Sequence, residues 1–214
     1  LTKSARARVV RETTRKLQTH PMHAVDTDWV ASLGVLCLAS DPKNLLMWGH
    51  YGASHKGVCL GFDASYAPFS TAKPIKYSSE RPSIPLTESP LLNEAATDSI
   101  LLTKSPHWKY EEEWRAIKRP VRDDEKHFYQ QAIANGEANE DEVADLLASE
   151  GGHGQYQFEP KALHRLIMGA KIDSTLRAKI ESLVALKPWV KLYQAELDRK
   201  YFVINLREVT PHGS

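Results

Sequence analysis

The spacing of apolar and polar positions changes several times along this chain, and each change marks an element. Residues 4–19 read as a basic helix, and residues 34–38 (Gly-Val-Leu-Cys-Leu) form a short apolar run that predicts a buried strand. Asp41 suits a helix N-cap and Pro42 a first helical position, so a helix is expected near 43–52, with Gly52 at its end. Residues 56–63 alternate, with Val58, Leu60 and Phe62 on one side and Gly57, Cys59 and Gly61 on the other. A face of Gly, Cys and Gly leaves room for a close-packed helix or for a ligand lying against the backbone.

Further along, residues 74–77 predict a short strand, Pro82, Pro85 and Pro90 a loop, residues 91–103 a helix and residues 110–118 a strand. Residues 122–150 are acidic and helical with sparse apolar points, and a flexible Gly151-Gly152-His153-Gly154 closes them. A short strand at 156–158, a short helix from Pro160 and a strand at 165–169 follow. Asp173 or Ser174 then caps an amphipathic helix with Leu176, Ile180, Leu183 and Leu186 on one side. Alternating runs at 189–197 and 201–206, joined by Asp198-Arg199-Lys200, read as a hairpin. These elements predict an α+β fold: a mixed, largely antiparallel sheet with strands near 34–38, 57–62, 110–118 and 165–169 and in the 189–206 hairpin. Helices near 43–52 and 173–186 flank it. One domain is expected over 1–214, with a helical excursion at about 122–153.

Composition narrows the class. The chain has 214 residues, 42% of them hydrophobic, enough for one sizeable core. A formal net charge of +1 supplies no general field for nucleic acid or an anionic membrane. Cys37 and Cys59 both sit in apolar runs and read as core thiols. Neither Cys-x-x-Cys nor His-Glu-x-x-His spacing occurs, so no metal site is expected. No apolar run is long enough to span a bilayer and no signal peptide is visible, so the expected setting is cytoplasmic, without a membrane partner. The sequence opens at Leu1 in a charged helical pattern with no strand before it, which suggests that N-terminal elements are absent.

Two segments concentrate polar chemistry. In Trp108-Lys109-Tyr110-Glu111-Glu112-Glu113-Trp114-Arg115, a strand would put Glu111, Glu113 and Arg115 on one face and Tyr110, Glu112 and Trp114 on the other, with Tyr110 and Trp114 toward the core. Two carboxylates about 7 Å apart on one strand face can divide acid and base roles, with Arg115 holding one of them ionised. The same pattern also fits a solvated edge strand with a Glu–Arg pair. In the second segment, Trp48, His50, Tyr51, Ser54, His55 and Lys56 gather at one helix-to-strand turn with Gly49, Gly52 and Gly57. They suit reading a polar ligand or moving a proton, and equally a structural role.

These runs carry a resemblance. Cys37-Leu38-Ala39-Ser40, Met47-Trp48-Gly49-His50-Tyr51-Gly52, His55 to Asp63 and Trp108 to Arg115 resemble the bacterial family DUF2971, whose function is not characterised. Phe158-Glu159-Pro160, Ile167-Met168-Gly169 and the closing hairpin match in order, so the resemblance spans roughly residues 34–207. The family's usual N-terminal part, a strand with a Tyr-rich motif and a later Asn-Asp-Pro motif, is not found here. By analogy of motif logic, the resemblance implies an ADP-ribosyltransferase-like arrangement in which NAD, as substrate, lies between two small sheets. No cofactor is held permanently.

On that reading Glu113 is the catalytic residue and Glu111 orients the acceptor, with His50 as a further catalytic candidate. Trp48, Tyr51, Ser54, His55, Lys56, Tyr110 and Arg115 bind the ligand. The implied activity is ADP-ribosyl transfer or NAD glycosidic hydrolysis in a bacterial toxin or phage-defence setting, onto a protein or nucleic-acid acceptor that stays open. Glu113→Gln is then expected to lower turnover while leaving the melting temperature little changed. The alternatives are a non-catalytic binding or interaction module, and a metal-dependent nuclease using His50, His55 and the glutamates. What separates them is whether Glu113 and the 48–57 turn line one cavity.

Overall fold

A computed structural model describes residues 32–83, 94–119, 123–139 and 152–210. The basic helix expected at 4–19 lies outside them, as does part of 122–150. Two compact units emerge, one of residues 1–34 and 118–154 and one of residues 35–117 and 155–214.

The larger unit is α+β. Its main sheet has four strands in the order β2-β7-β8-β9, namely Val58–Phe62, Leu163–Met168, Lys191–Leu197 and Ile204–Val209. The β8–β9 pair is the expected hairpin, antiparallel from Leu192↔Val209 to Leu197↔Ile204. β2 pairs antiparallel with β7, whereas β7 and β8 run parallel.

Alternation along these strands feeds two cores. On one face Met168 and Leu192 pack with Ile180, Val184 and Val190. Helix α4 (Ser174–Ala185) supplies Ile180 and Val184, one turn apart, and Asp173 caps it by accepting from Leu176 N–H at 2.9 Å. On the other face Ile167, Ala195 and Ile204 pack with Trp48 of helix α1 (Leu45–His50).

A second sheet of three strands has the order β1-β6-β3, formed by Gly34–Ala39, Glu113–Lys118 and Lys73–Pro74. β4 (Lys76–Tyr77) and β5 (Thr103–Lys104) make a parallel two-stranded ribbon. Helix α2 (Glu94–Leu101) leads into β5. In the smaller unit α3 spans Asp123–Ala134.

Several expectations need correction. The strands do not join one sheet, because β1 and β2 each end a separate sheet. β1 is not buried: Val35, Leu36 and Cys37 are exposed. Cys59 is only half-buried. Helix α1 is capped by Asn44, whose side chain accepts from Leu46 and Met47 N–H, while Asp41 accepts only from Lys43 N–H in a turn. The buried stripe of α4 is Ile180 and Val184, and Leu176, Leu183 and Leu186 are exposed. Residues 156–158 form no strand.

The Gly57-Cys59-Gly61 face is covered from within. Cys59 packs beside Trp48, and a Cβ on Gly61 would come within 2.9 Å of the Arg165 Cβ. Nor does Gly152 behave as a loose hinge. It is buried at φ +77°, and a Cβ there would meet the Ser32 carbonyl oxygen at 1.9 Å.

Candidate functional site

The two polar segments do meet, through backbone geometry that alternation did not predict. Pro106 opens a 3-10 helix, Pro106–Glu111, instead of the expected strand. Glu112 closes it in the left-handed region at φ 45° and ψ 49°, and β6 begins only at Glu113. Glu111 and Glu113 therefore do not share a strand face, yet both are buried and both bind Lys104. The β4–β5 ribbon positions that lysine, as Ser78 N–H donates to the Lys104 carbonyl at 2.9 Å. Tyr77, on the same ribbon, accepts from Glu113 N–H through its hydroxyl at 2.9 Å.

Glu113 is saturated by this arrangement. Lys104 Nζ lies 2.8 Å from its Oε2, and Arg115 Nε lies 2.7 Å from its Oε1. Arg115 also donates to the Leu101 carbonyl. Burial pushes the Glu113 carboxyl up, but hydrogen bonds from Arg115, Lys104 and Cys37 outweigh it and hold the group down to about 2. For Cys37 the balance is opposite: partial burial, followed by the Glu113 carboxylate, pushes the thiol up.

Glu111 completes the link to the other segment. It binds Lys104 and accepts from the Tyr51 hydroxyl at 2.9 Å, which pushes the phenol of Tyr51 up. Ser40 Oγ donates to Glu112 Oε2 at 2.6 Å, and Asn44 Nδ2 donates to the Tyr110 carbonyl. His50 is exposed at the end of α1, its ring 6.3 Å from those of Tyr51 and Tyr110.

The remaining candidates lie apart from the glutamates. Trp48 is a core residue, 4% exposed, with its indole N–H donating to the Pro42 carbonyl at 2.8 Å. His55 stacks on it at 6.4 Å between centroids and 8° between planes, and its buried Nδ1 has no hydrogen-bond partner. Ser54 and Lys56 are exposed. Ala53, Ser54 and His55 all have positive φ, between 50° and 69°, a costly run of left-handed non-glycine residues. His55 holds the turn in place: its carbonyl accepts from Lys171 N–H at 2.8 Å.

A cleft of about 710 Å³ opens in the larger unit. It is bordered by Leu36 through Pro42, by Val58 through Phe62, and by Trp48, Tyr51, Trp114, His164 and Arg165. Trp114, expected to face the core, is 40% exposed and borders this cleft. β6 buries Glu113 on one face and Ala116, on the same face as Trp114, on the other, so neither face is a continuous core face. Glu111 and Glu113 are not among the cleft's lining residues. Trp48, Tyr51 and Gly52 thus border this cleft without Glu113, although Tyr51 touches both the cleft and Glu111.

Sequence reasoning missed Lys104, Tyr77, Asn44, Cys37 as a neighbour of Glu113, and the pair His164 and Arg165. No periodic pattern marks Lys104 or Arg165. Among the described residues no group of three or more His, Cys, Asp or Glu side chains converges as a metal site. No helix among them is long and apolar enough to cross a membrane.

Fold and site together define an α+β protein in which a buried ion-pair cluster braces one sheet and a cleft lies along the ends of two sheets. Residues 47–116 match the model of a family described as a protein of unknown function, DUF2971. No curated protein and no solved structure matches the chain.

Proposed function

We propose that the larger unit is an interaction module that accepts an extended polypeptide strand in its cleft. The observation that carries this reading is the run of lining residues. A strand that presents a face to a cavity lines it with alternate residues. Here five consecutive residues of β2 and four of β1 border the same cleft, which is what a strand edge does. Each of these strands has a neighbour on one side only among the described residues.

Such edges expose rows of unpaired N–H and C=O groups and are normally blunted by charge or proline. β1 reads Gly-Val-Leu-Cys-Leu-Ala and β2 reads Val-Cys-Leu-Gly-Phe, with neither. Val35, Leu36, Val58, Leu60 and Trp114, all at least 39% exposed, supply apolar contacts of the kind that alternate side chains of an added strand would cover.

The NAD-cleaving reading, with its toxin or phage-defence setting, asks for a carboxylate open to the ligand. Glu113 has both oxygens engaged and does not border the cleft. The observation in favour of this reading is Tyr51, which borders the cleft and donates to Glu111. Among the described residues no converging ligand set supports a metal-dependent nuclease.

One experiment separates these readings. A fluorescein-labelled peptide carrying the β2 sequence, with serine for cysteine and flanking lysines for solubility, is titrated with the full chain and followed by anisotropy. Saturable binding in the micromolar range is expected. The double variant Leu36→Lys, Leu60→Lys should weaken it at least about tenfold, because lysine blunts an edge. Absence of binding at millimolar protein would overturn the strand reading. Nicotinamide release from NAD by the same preparation, lost in Glu113→Gln, would replace it with the enzyme.

A further inference from the structure

We infer that the cleft contains an anion pocket at Arg165, so that the strand it accepts carries an aspartate or glutamate there; this inference rests on the strand-accepting reading. Arg165 stands on β7 opposite Gly61 of β2 and borders the cleft. Its position is built. Gly61 has no Cβ, and any other residue would place one 2.9 Å from the Arg165 Cβ, against the root of the side chain. On the other side the guanidinium carbon lies 5.5 Å from the centroid of the Tyr193 ring.

What the Nε of this arginine lacks, among the described residues, is an acceptor. Its Nε is buried without a hydrogen-bond partner, and no carboxylate pairs with it among the described residues. The other half-buried arginines of the unit are satisfied: Arg115 by Glu113 and the Leu101 carbonyl, Arg177 by Glu181 and Gln194. Among the described residues Asp41 is the one carboxylate that borders the cleft, and it accepts from Lys43 N–H. The neighbouring His164 adds a second buried nitrogen, Nδ1, with no partner.

A buried donor left unpaired is costly, and a guanidinium most of all, because its charge is also partly desolvated. A carboxylate entering the cleft restores the missing bond and matches the planar fork. The phosphate of a free nucleotide offers the same chemistry from another source, so the test includes both.

The probe set is the β2-sequence peptide with Glu placed at each position in turn, each matched by a twin with Gln. At one position the Glu peptide should bind wild-type chain roughly 10-fold to 100-fold more tightly than its twin, the range of a charge-assisted hydrogen bond. Arg165→Gln should erase that preference, so that the Glu peptide and its Gln twin bind alike. Arg165→Lys serves if Arg165→Gln does not fold, and should keep only part of the preference. Equal binding of every Glu and Gln pair overturns the anion pocket while the strand reading stands. Failure of all peptides overturns both, and pyrophosphate binding abolished by Arg165→Gln would then give Arg165 to a free anion.

Discussion

Replacing Glu113 by Gln keeps the size of the side chain and removes its charge, leaving Lys104 and Arg115 without their shared counter-ion. The magnitude follows from the carboxyl, whose value falls from 4.5 to about 2 in the folded chain. At about 1.36 kcal/mol per unit, that difference is a stabilisation on the order of 3 kcal/mol when Glu113 is ionised. The sign is fixed by the direction. A group whose folded value lies below its unfolded one stabilises fully above the unfolded value, and that contribution is lost as pH falls through 4.5 toward about 2. At pH 7 the variant should therefore melt roughly 6–12 °C lower, at about 2–4 °C per kcal/mol for a chain of this size. This reverses the expectation, drawn from the sequence, of a little-changed melting temperature. The assay is thermal and urea unfolding of both proteins from pH 7 to pH 2.5, with the gap closing at the acid end. Equal melting at pH 7, or a gap that persists undiminished at pH 2.5, would refute the ion-pair argument.

Two further outcomes test the 53–57 turn and the Tyr51–Glu111 contact. Gly169→Ala would place a Cβ 2.2 Å from the His55 carbonyl oxygen and 2.8 Å from that of Gly57, so the 53–57 turn or the end of β7 must shift. A loss of at least about 1–3 kcal/mol is expected in urea denaturation, and an unchanged midpoint would contradict the close approach. Tyr51→Phe removes one donor to buried Glu111, but Tyr51 is 66% exposed and water can replace its hydroxyl, so a loss of about 1 kcal/mol or less is expected at pH 7.

What could be read from the sequence was what is local. The β8–β9 hairpin and the Asp173 cap follow from alternation and from one side chain facing its own helix. The strand expected at 110–118 is present from Glu113 to Lys118, but its first three residues are lost because Pro106 and a left-handed Glu112 reset the backbone in the middle of the motif, which the alternation of Glu and Trp conceals. The meeting of Tyr51 with Glu111 had motif density behind it but no geometry, since the two are sixty residues apart. Lys104 and Arg165 were invisible because neither stands out from its neighbours: one precedes a serine and a proline, the other interrupts an apolar strand. Expecting one sheet was reasonable strand by strand. It failed on pairing, a non-local choice that leaves β1 and β2 as separate edges.

The smaller unit is discontinuous, built from residues 1–34 and 118–154, with Gly152 pressed against Ser32 and Gly34. During synthesis Ser32 and Gly34 emerge long before their partner does. At about 5–20 residues per second the wait is on the order of ten seconds. Gly34 is also the first residue of β1. The two segments of the smaller unit are thus joined only after the intervening residues 35–117 have been made. Closing that unit therefore carries the loop-closure entropy of the whole larger unit lying between its two segments.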